Sequence, residues 1–289
     1  MSSPVPGAPA PLTRTHRLAL GVMVVDALRG EPAQVEAALE DVPVPYAMPA
    51  PTGPGAQASA YDPGIGLPRL ARGRRPGRFR LLFGARTAGS ATVRVYDTAR
   101  RYVPRRFEIP FASLADVLAE EASGARPAPR ARRIAMFPGA AYHPQGCATG
   151  MRGRVVDSAG EPVRWVRVTA RHPVRDVVLG SAHGDDRGEF LLVLGVPPTA
   201  LVGPAGLTQD VALDLAARTA PPPGGPTGSA QDPLGDLLLE TLPAVGAADE
   251  VSAGVTVPSA YPVRATVPAT LRLGRLVSPD SPFTLPESE

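Results

Sequence analysis

The chain has 289 residues, of which 36 are Pro and 30 are Gly, and this excludes one large regular core, because much of the chain has to be turn, arm or linker. Hydrophobic residues make up 44% and aromatic residues only 5%, so the length fits two modest cores built from Val, Leu and Ala. All 30 basic residues are Arg and the net charge is +3; the cations crowd between Arg69 and Arg106, where Asp97 is the one acid, and residues 209–289 are acid-rich, an asymmetry that suits docking between complementary surfaces.

Met1 to Leu12 is rich in Pro, Ala, Ser and Gly, and 1–14 is expected to be an extended arm, since it has too little apolar surface to offset its own ordering entropy. It lacks the apolar core of a secretory signal. The run Leu18 to Leu28 is too short for a membrane span and is interrupted by Gly21 and Asp26, so a cytoplasmic protein is expected. That run opens a first β-sandwich over 15–112, in which the Pro/Gly-rich passage 43–68 is an elongated loop. Ala91 to Tyr96 alternates as a half-buried strand. Arg100 to Pro110 interleaves apolar and cationic residues, and Pro104 keeps it from a central position. A helix and linker follow over 113–149. The helix, Ser113 to Ala122, has a Ser113–Asp116 capping box, Leu114, Val117 and Leu118 on one face, and Gly124 as its stop; Arg126 to Arg133 reads as a Pro/Arg linker.

Residues 150–219 form the second module. Gly153-Arg154-Val155-Val156-Asp157-Ser158-Ala159-Gly160-Glu161-Pro162-Val163 reads as a strand and a turn, and Trp165 to Ala170 as the next strand. Asp185-Asp186-Arg187-Gly188-Glu189-Phe190 is a tight turn that launches another. The same phrases occur earlier, as Val24-Val25-Asp26 with Gly30-Glu31-Pro32, and as Gly77-Arg78-Phe79, which predicts a tandem repeat. Val211 to Leu215 is expected to be the last strand. A Pro-rich linker and acidic extended tail then occupy 220–289, with a marked phrase from Asp232 to Leu242. The tail is too apolar for plain disorder and too Pro-broken for its own core, so it has to pack on a domain or a partner.

The phrases G-x-V-x-D-x-x-G-x-P-V and D-x-x-G-x-F resemble those of the carboxypeptidase regulatory-like family. The resemblance implies an all-β fold, two tandem transthyretin/Ig-like antiparallel β-sandwiches with one short helix and extended Pro-rich arms. It implies no single activity, because such sandwiches are reused as spacers, binding modules and assembly parts. One transthyretin-like branch hydrolyses 5-hydroxyisourate with a C-terminal Tyr-Arg-Gly-Ser. Here the chain reads Leu285-Pro286-Glu287-Ser288-Glu289 and no such tetrapeptide occurs, so no enzyme is expected.

His172, His183, Asp185 and Asp186 are near one another in sequence, and their types suit a metal. Asp185 to Gly188 is better read as hairpin-turn chemistry, with the histidines flanking strands. His143 and Cys147 bracket a loop, and a single Cys excludes an internal disulfide. Neither metal nor cofactor is expected. The Arg-rich passage lacks a recognition helix or RNP-like motif, which makes nucleic acid an unlikely partner beside an acidic protein surface or plain solvent. The residues expected to meet other proteins are Arg100, Arg101, Tyr102, Arg105, Arg106, Phe107, Leu237, Leu238 and Leu239. The layout resembles accessory proteins of phage-tail-like contractile injection systems, which implies a non-enzymatic structural or adaptor protein, a cap, baseplate or tail-associated part. Its partners would be other subunits or further copies of itself, with no membrane. The alternative is a carbohydrate- or ligand-binding module, for which Tyr46, Tyr61 and Trp165 are the available aromatics.

Overall fold

Two aspartates end equivalent β-branched runs and fold their carboxylates onto the turns that follow. Asp26 Oδ1 accepts from the amides of Leu28 and Arg29, and Asp157 Oδ1 from those of Ala159 and Glu161. Gly30 and Gly160 close these turns at φ 70° and 84°, so that Val25 bridges Pro32 and Val156 bridges Pro162. The first turn is one residue longer, and the two phrases otherwise correspond position by position. The structure, a computed structural model, describes residues 17–40, 67, 69–84, 89–124, 129–195, 207–218, 234–244, 249–254 and 257–286. The expected arm 1–14, the insertion 43–68 apart from Leu67, and the Pro-rich stretch 220–226 lie outside the described residues.

The protein is all-β, two sandwiches in tandem. The first holds β1 (Leu18–Asp26), β2 (Glu36–Leu39), β3 (Ala71–Arg72), β4 (Arg78–Leu82), β5 (Ser90–Tyr96), β6 (Arg105–Pro110), the helix α1 (Leu114–Ser123) and β7 (Ala131–Met136). The second holds β8 (Gly150–Val156), β9 (Arg167–Arg171), β10 (Val178–His183), β11 (Glu189–Val193) and β12 (Thr208–Ala216). There follow β13 (Leu239–Thr241), a one-turn helix α2 (Glu250–Ala253), β14 (Val263–Arg272), β15 (Leu276–Val277) and β16 (Phe283–Thr284). Sheets β3-β4-β1-β7 and β13-β6-β5-β2 enclose one apolar core; sheets β10-β9-β12-β14 and β11-β8-β15, with β16 also on β8, enclose the other.

The repeat extends through the sheets. Met23 faces Arg78 in the first and Arg154 faces Glu189 in the second. β7 runs parallel to β1 with Ile134 opposite Val24, and β16 runs parallel to β8 with Phe283 opposite Val155. Gly77 and Gly188 sit at φ 65° and 70°, and a Cβ on them would lie 2.5 Å from the Val24 carbonyl oxygen and 2.3 Å from that of Val155. Only glycine fits this crossing. Gly188→Ala is therefore expected to lower stability by about 1–3 kcal/mol through the backbone conformation alone, with the clash added, measured as a fall in the urea midpoint. A midpoint equal to wild type would contradict the close approach.

Three expectations change. The linker over 126–133 gives way to β7, a strand bonded to β1, whose alternate residues Arg132, Ile134 and Met136 face inward. The second sandwich does not end at Val211 to Leu215. The tail supplies β14, paired with β12 from Thr208–Arg272 to Ala216–Val263, as well as β15 and β16. Ala265, Val267, Ala269 and Leu271 face the core, and Pro268 is tolerated because β14 is an edge strand. A further one-turn helix, α2, is capped by Asp249 and ended by Gly254 at φ 71°. Trp165 is not in a strand; it sits at φ 59° in the turn before β9. α1 has its capping box, Ser113 with Asp116, but of its apolar face only Val117 is buried, and Leu114 and Leu118 stand 40% and 42% exposed.

Candidate functional site

The described residues bring their most unusual side chains together where the sandwiches meet. Between β12 and β14 the chain leaves the second sandwich and crosses to the first. Leu234 and Leu237 pack there with Trp165, Ala216 and Tyr261 of the second sandwich's surroundings and with Ala38, Tyr96 and Val103 of the first. β13 then lies parallel to β6, Glu240 opposite Phe107, and Leu242 enters the first core. α2 packs on β7, and Arg132 Nη2 donates to the Pro243 carbonyl (2.7 Å) and to Asp249 (3.2 Å). The strand of this strap covers the β6 edge, which would otherwise expose unpaired backbone.

Arg105 on β6 is the centre of the junction and is 1% exposed. Its Nε and Nη2 donate to the two oxygens of Glu240 (2.9 and 2.6 Å), Nη1 to the carbonyls of Ala135 and Ser252 (2.6 and 2.9 Å), and Nη2 also to that of Val251 (2.5 Å). All five N–H donors are thereby used, the condition under which a guanidinium is tolerated in an interior. Arg167 on β9, also buried, reaches the same Glu240 at 3.6 Å. Burial lowers its pKa, opposed by Glu240 and Tyr261. His183, at the end of β10, crosses to stack on Phe137 of the first sandwich, with ring centroids 3.8 Å apart and planes 10° apart.

Three polar clusters flank this centre. Arg164 holds Asp236 of the strap through two bonds (2.6 and 2.8 Å), and Trp165 Nε1 donates to the same carboxylate (3.0 Å). Arg100 of the first sandwich pairs with Asp186 of the second (2.8 Å). Asp26 Oδ2 accepts from the hydroxyls of Tyr102 (3.0 Å) and Tyr142 (2.6 Å). Burial and then the Asp26 charge push the Tyr102 phenol well above its ordinary pKa; Tyr142 is pushed up by burial and then by its bond to Asp26.

The residues expected to meet other proteins therefore have partners inside the chain. Arg100 pairs with Asp186, Arg101 with Asp97 (2.9 Å), Tyr102 with Asp26, Arg105 with Glu240, and Arg106 with Glu40 (2.6 Å). Phe107 is in the first core; Leu237 is buried at the junction with Leu238 against it, and Leu239 is 38% exposed. Asp185 accepts from the amides of Arg187 and Glu189, the turn role its position predicted. Among the described residues no group of three or more His, Cys, Asp or Glu could hold a metal ion. Trp165 is buried, with its indole on Asp236, so it offers no face to a ligand; Tyr46 and Tyr61 lie outside the described residues. A groove of 520 Å³ beside β1, β7 and α2 is lined by Asp26, Arg132, Arg133, Asp249 and Ser252 among small apolar residues. Its two acids and two arginines balance, and the Ser252 hydroxyl donates to the Asp249 carbonyl.

Sequence reasoning did not find Glu240, Asp236, Arg167 or His183 as a set. The available signal was the strap phrase itself, in which, from Leu234 to Leu242, Asp236 and Glu240 are the charges set among Leu234, Leu237, Leu238, Leu239 and Leu242, an arrangement that asks for buried arginines elsewhere.

No protein-family model matches the chain, and no curated protein matches it. Among solved structures it matches a leucine-rich repeat protein from Bacteroides thetaiotaomicron, at 10% identity and a TM-score of 0.21, over 94% of this chain and 27% of that one. The chain thus spans little more than a quarter of that protein's length, and a TM-score this low carries no argument. No helix among the described residues is long and apolar enough to cross a membrane.

Proposed function

We propose that this chain is a non-enzymatic structural or adaptor subunit of a larger assembly. The observation that supports this reading is the junction. Its buried charges, Arg105, Arg167 and Glu240, bond to one another and to backbone carbonyls, and the flanking carboxylates hold strap and turns, so the polar groups fix the sandwiches in one arrangement instead of facing a substrate. A body fixed in this way suits transmission of position between neighbours. The assembly that the layout resembles is a phage-tail-like contractile injection particle, in which the chain would be a cap, baseplate or tail-associated part, built in the bacterial cytoplasm. Its partners would be other subunits or further copies of itself. Contact surfaces would include exposed apolar groups such as Val174, Val177 and Leu207 at the far end of the second sandwich.

The test is ultracentrifugation of a gently lysed native host carrying a tagged copy, followed by mass spectrometry of the tagged fraction. Co-sedimentation with sheath and tube proteins is the expected result. A tag confined to small soluble species would overturn the assembly reading.

A further inference from the structure

We propose that the junction between the sandwiches is an acid-sensitive latch, closed while the His183 imidazole is neutral and loosened when that ring takes a proton. His183 closes β10, and its partner across the sheet is Arg167 of β9. The ring leaves its own sandwich and lies flat on Phe137 of the other, so it belongs to the interface more than to either core. It is 3% exposed, and its Nδ1 has no hydrogen-bond partner. An unpaired acceptor is tolerable there, whereas an unpaired N–H on a charged ring is far less so.

The charged groups around it are unfavourable to a proton. Arg167 approaches from β9 and Arg105 from β6, and the one carboxylate at the centre, Glu240 of β13, already holds both. α2 offers the carbonyls of Val251 and Ser252, which Arg105 occupies. Tyr261 presents its ring to Arg167, and Phe137 gives His183 an aromatic face. A proton on His183 would therefore make a third cation against a single carboxylate. Burial first, then Arg167 and Arg105, hold the closed ring's pKa well below 6.5.

The sign follows directly. With the junction open, the ring meets water and titrates near 6.5; with it closed, the ring stays neutral. Below about pH 6.5 the open form binds more protons, so acid favours opening, and above that value the effect disappears. Among the described residues the other histidines, His143 and His172, lie in loops outside both cores. Acid therefore acts on the junction before it acts on either sandwich.

The test is native-state hydrogen exchange on the full chain between pH 7.5 and 5, corrected for intrinsic exchange and read at β9, β10 and β13 against β1 and β8. His183→Phe is measured beside it, since it keeps a ring on Phe137 and cannot titrate. The junction opening constant in the unaltered chain is expected to rise about tenfold per pH unit below the ordinary His value, about thirtyfold over the range, while β1 and β8 stay level. His183→Phe is expected to show no such rise. The same pH response in both proteins, or a response equal in the core strands, would overturn the proposal. If His183→Phe does not fold, an NMR titration of the imidazole in the unaltered chain decides: a ring still neutral at pH 5 supports the latch, and an ordinary midpoint sinks it.

Discussion

Ending the chain after Arg218 is expected to leave no folded sandwich at all. The deletion removes β14, which pairs with β12 from end to end, and both strands that run parallel to β8. It also removes Leu271 and Leu285 from the second core and Leu242 from the first, each fully buried. Emptying one such leucine site costs about 2–5 kcal/mol, so the second sandwich loses about 4–10 kcal/mol from two of them, and the first loses about 2–5 kcal/mol from one and about 3–5 kcal/mol more as Arg105 is stranded without Glu240, against about 5–15 kcal/mol for an ordinary domain. A tail packed on a partner instead of on the sandwiches, the other place the sequence allows it, would leave soluble sandwiches after its loss. Circular dichroism with urea unfolding separates the two. A truncated chain that stays soluble and unfolds cooperatively near the wild-type midpoint would show that the tail is dispensable.

Glu240→Ala is expected to destabilise the protein by about 3–5 kcal/mol, because it leaves Arg105 charged and buried with its carboxylate gone. Arg167 loses the carboxylate it reaches at 3.6 Å as well. A surface pair such as Arg17 with Glu121 would be worth at most about 1 kcal/mol by the same measurement. The contrast comes from the environment. Arg105 keeps its carbonyl acceptors but, at 1% exposure, cannot turn to solvent to replace the missing oxygens. Combining Glu240→Leu with Arg105→Met is expected to recover part of the loss, since one of the two stranded cations goes with it. Urea midpoints of the single and double variants are the readout, and a loss below about 1 kcal/mol for Glu240→Ala would mean the pair is solvated in practice.

What could be read from the sequence was local. The Asp-turn-Gly phrases carry their own chemistry within a few residues, and the fold, the repeat and the turn glycine Gly188 with its counterpart Gly77 can be read from them; the close approach of these glycines to the Val24 and Val155 carbonyls cannot. What could not be read depended on distant partners. Arg132 makes β7 look like a basic linker, yet its Nη2 donates to the Pro243 carbonyl and to Asp249, more than a hundred positions away. Pro268 makes β14 look broken, and only its place at a sheet edge removes the objection. Trp165 fits a strand by spacing, but its backbone turns and Asp236 takes its indole. For the candidate site, the cationic half was visible at Arg100 to Arg106 and the apolar half at Leu237 to Leu239. Neither showed that the two halves were each other's partners.

The separation of Arg105 from Glu240, 135 positions, also sets an order of events during synthesis. At about 5–20 residues per second, the ribosome takes roughly 7–27 s to add Glu240 after Arg105 has been made. For that interval the first sandwich has an uncovered β6 edge and a guanidinium with no carboxylate to receive it. Such an edge accepts any strand that reaches it, including one from a neighbouring nascent chain. Maturation of the first half is thus timed by the last part of the chain, and the interval before the strap arrives is when this protein is most exposed to wrong pairing.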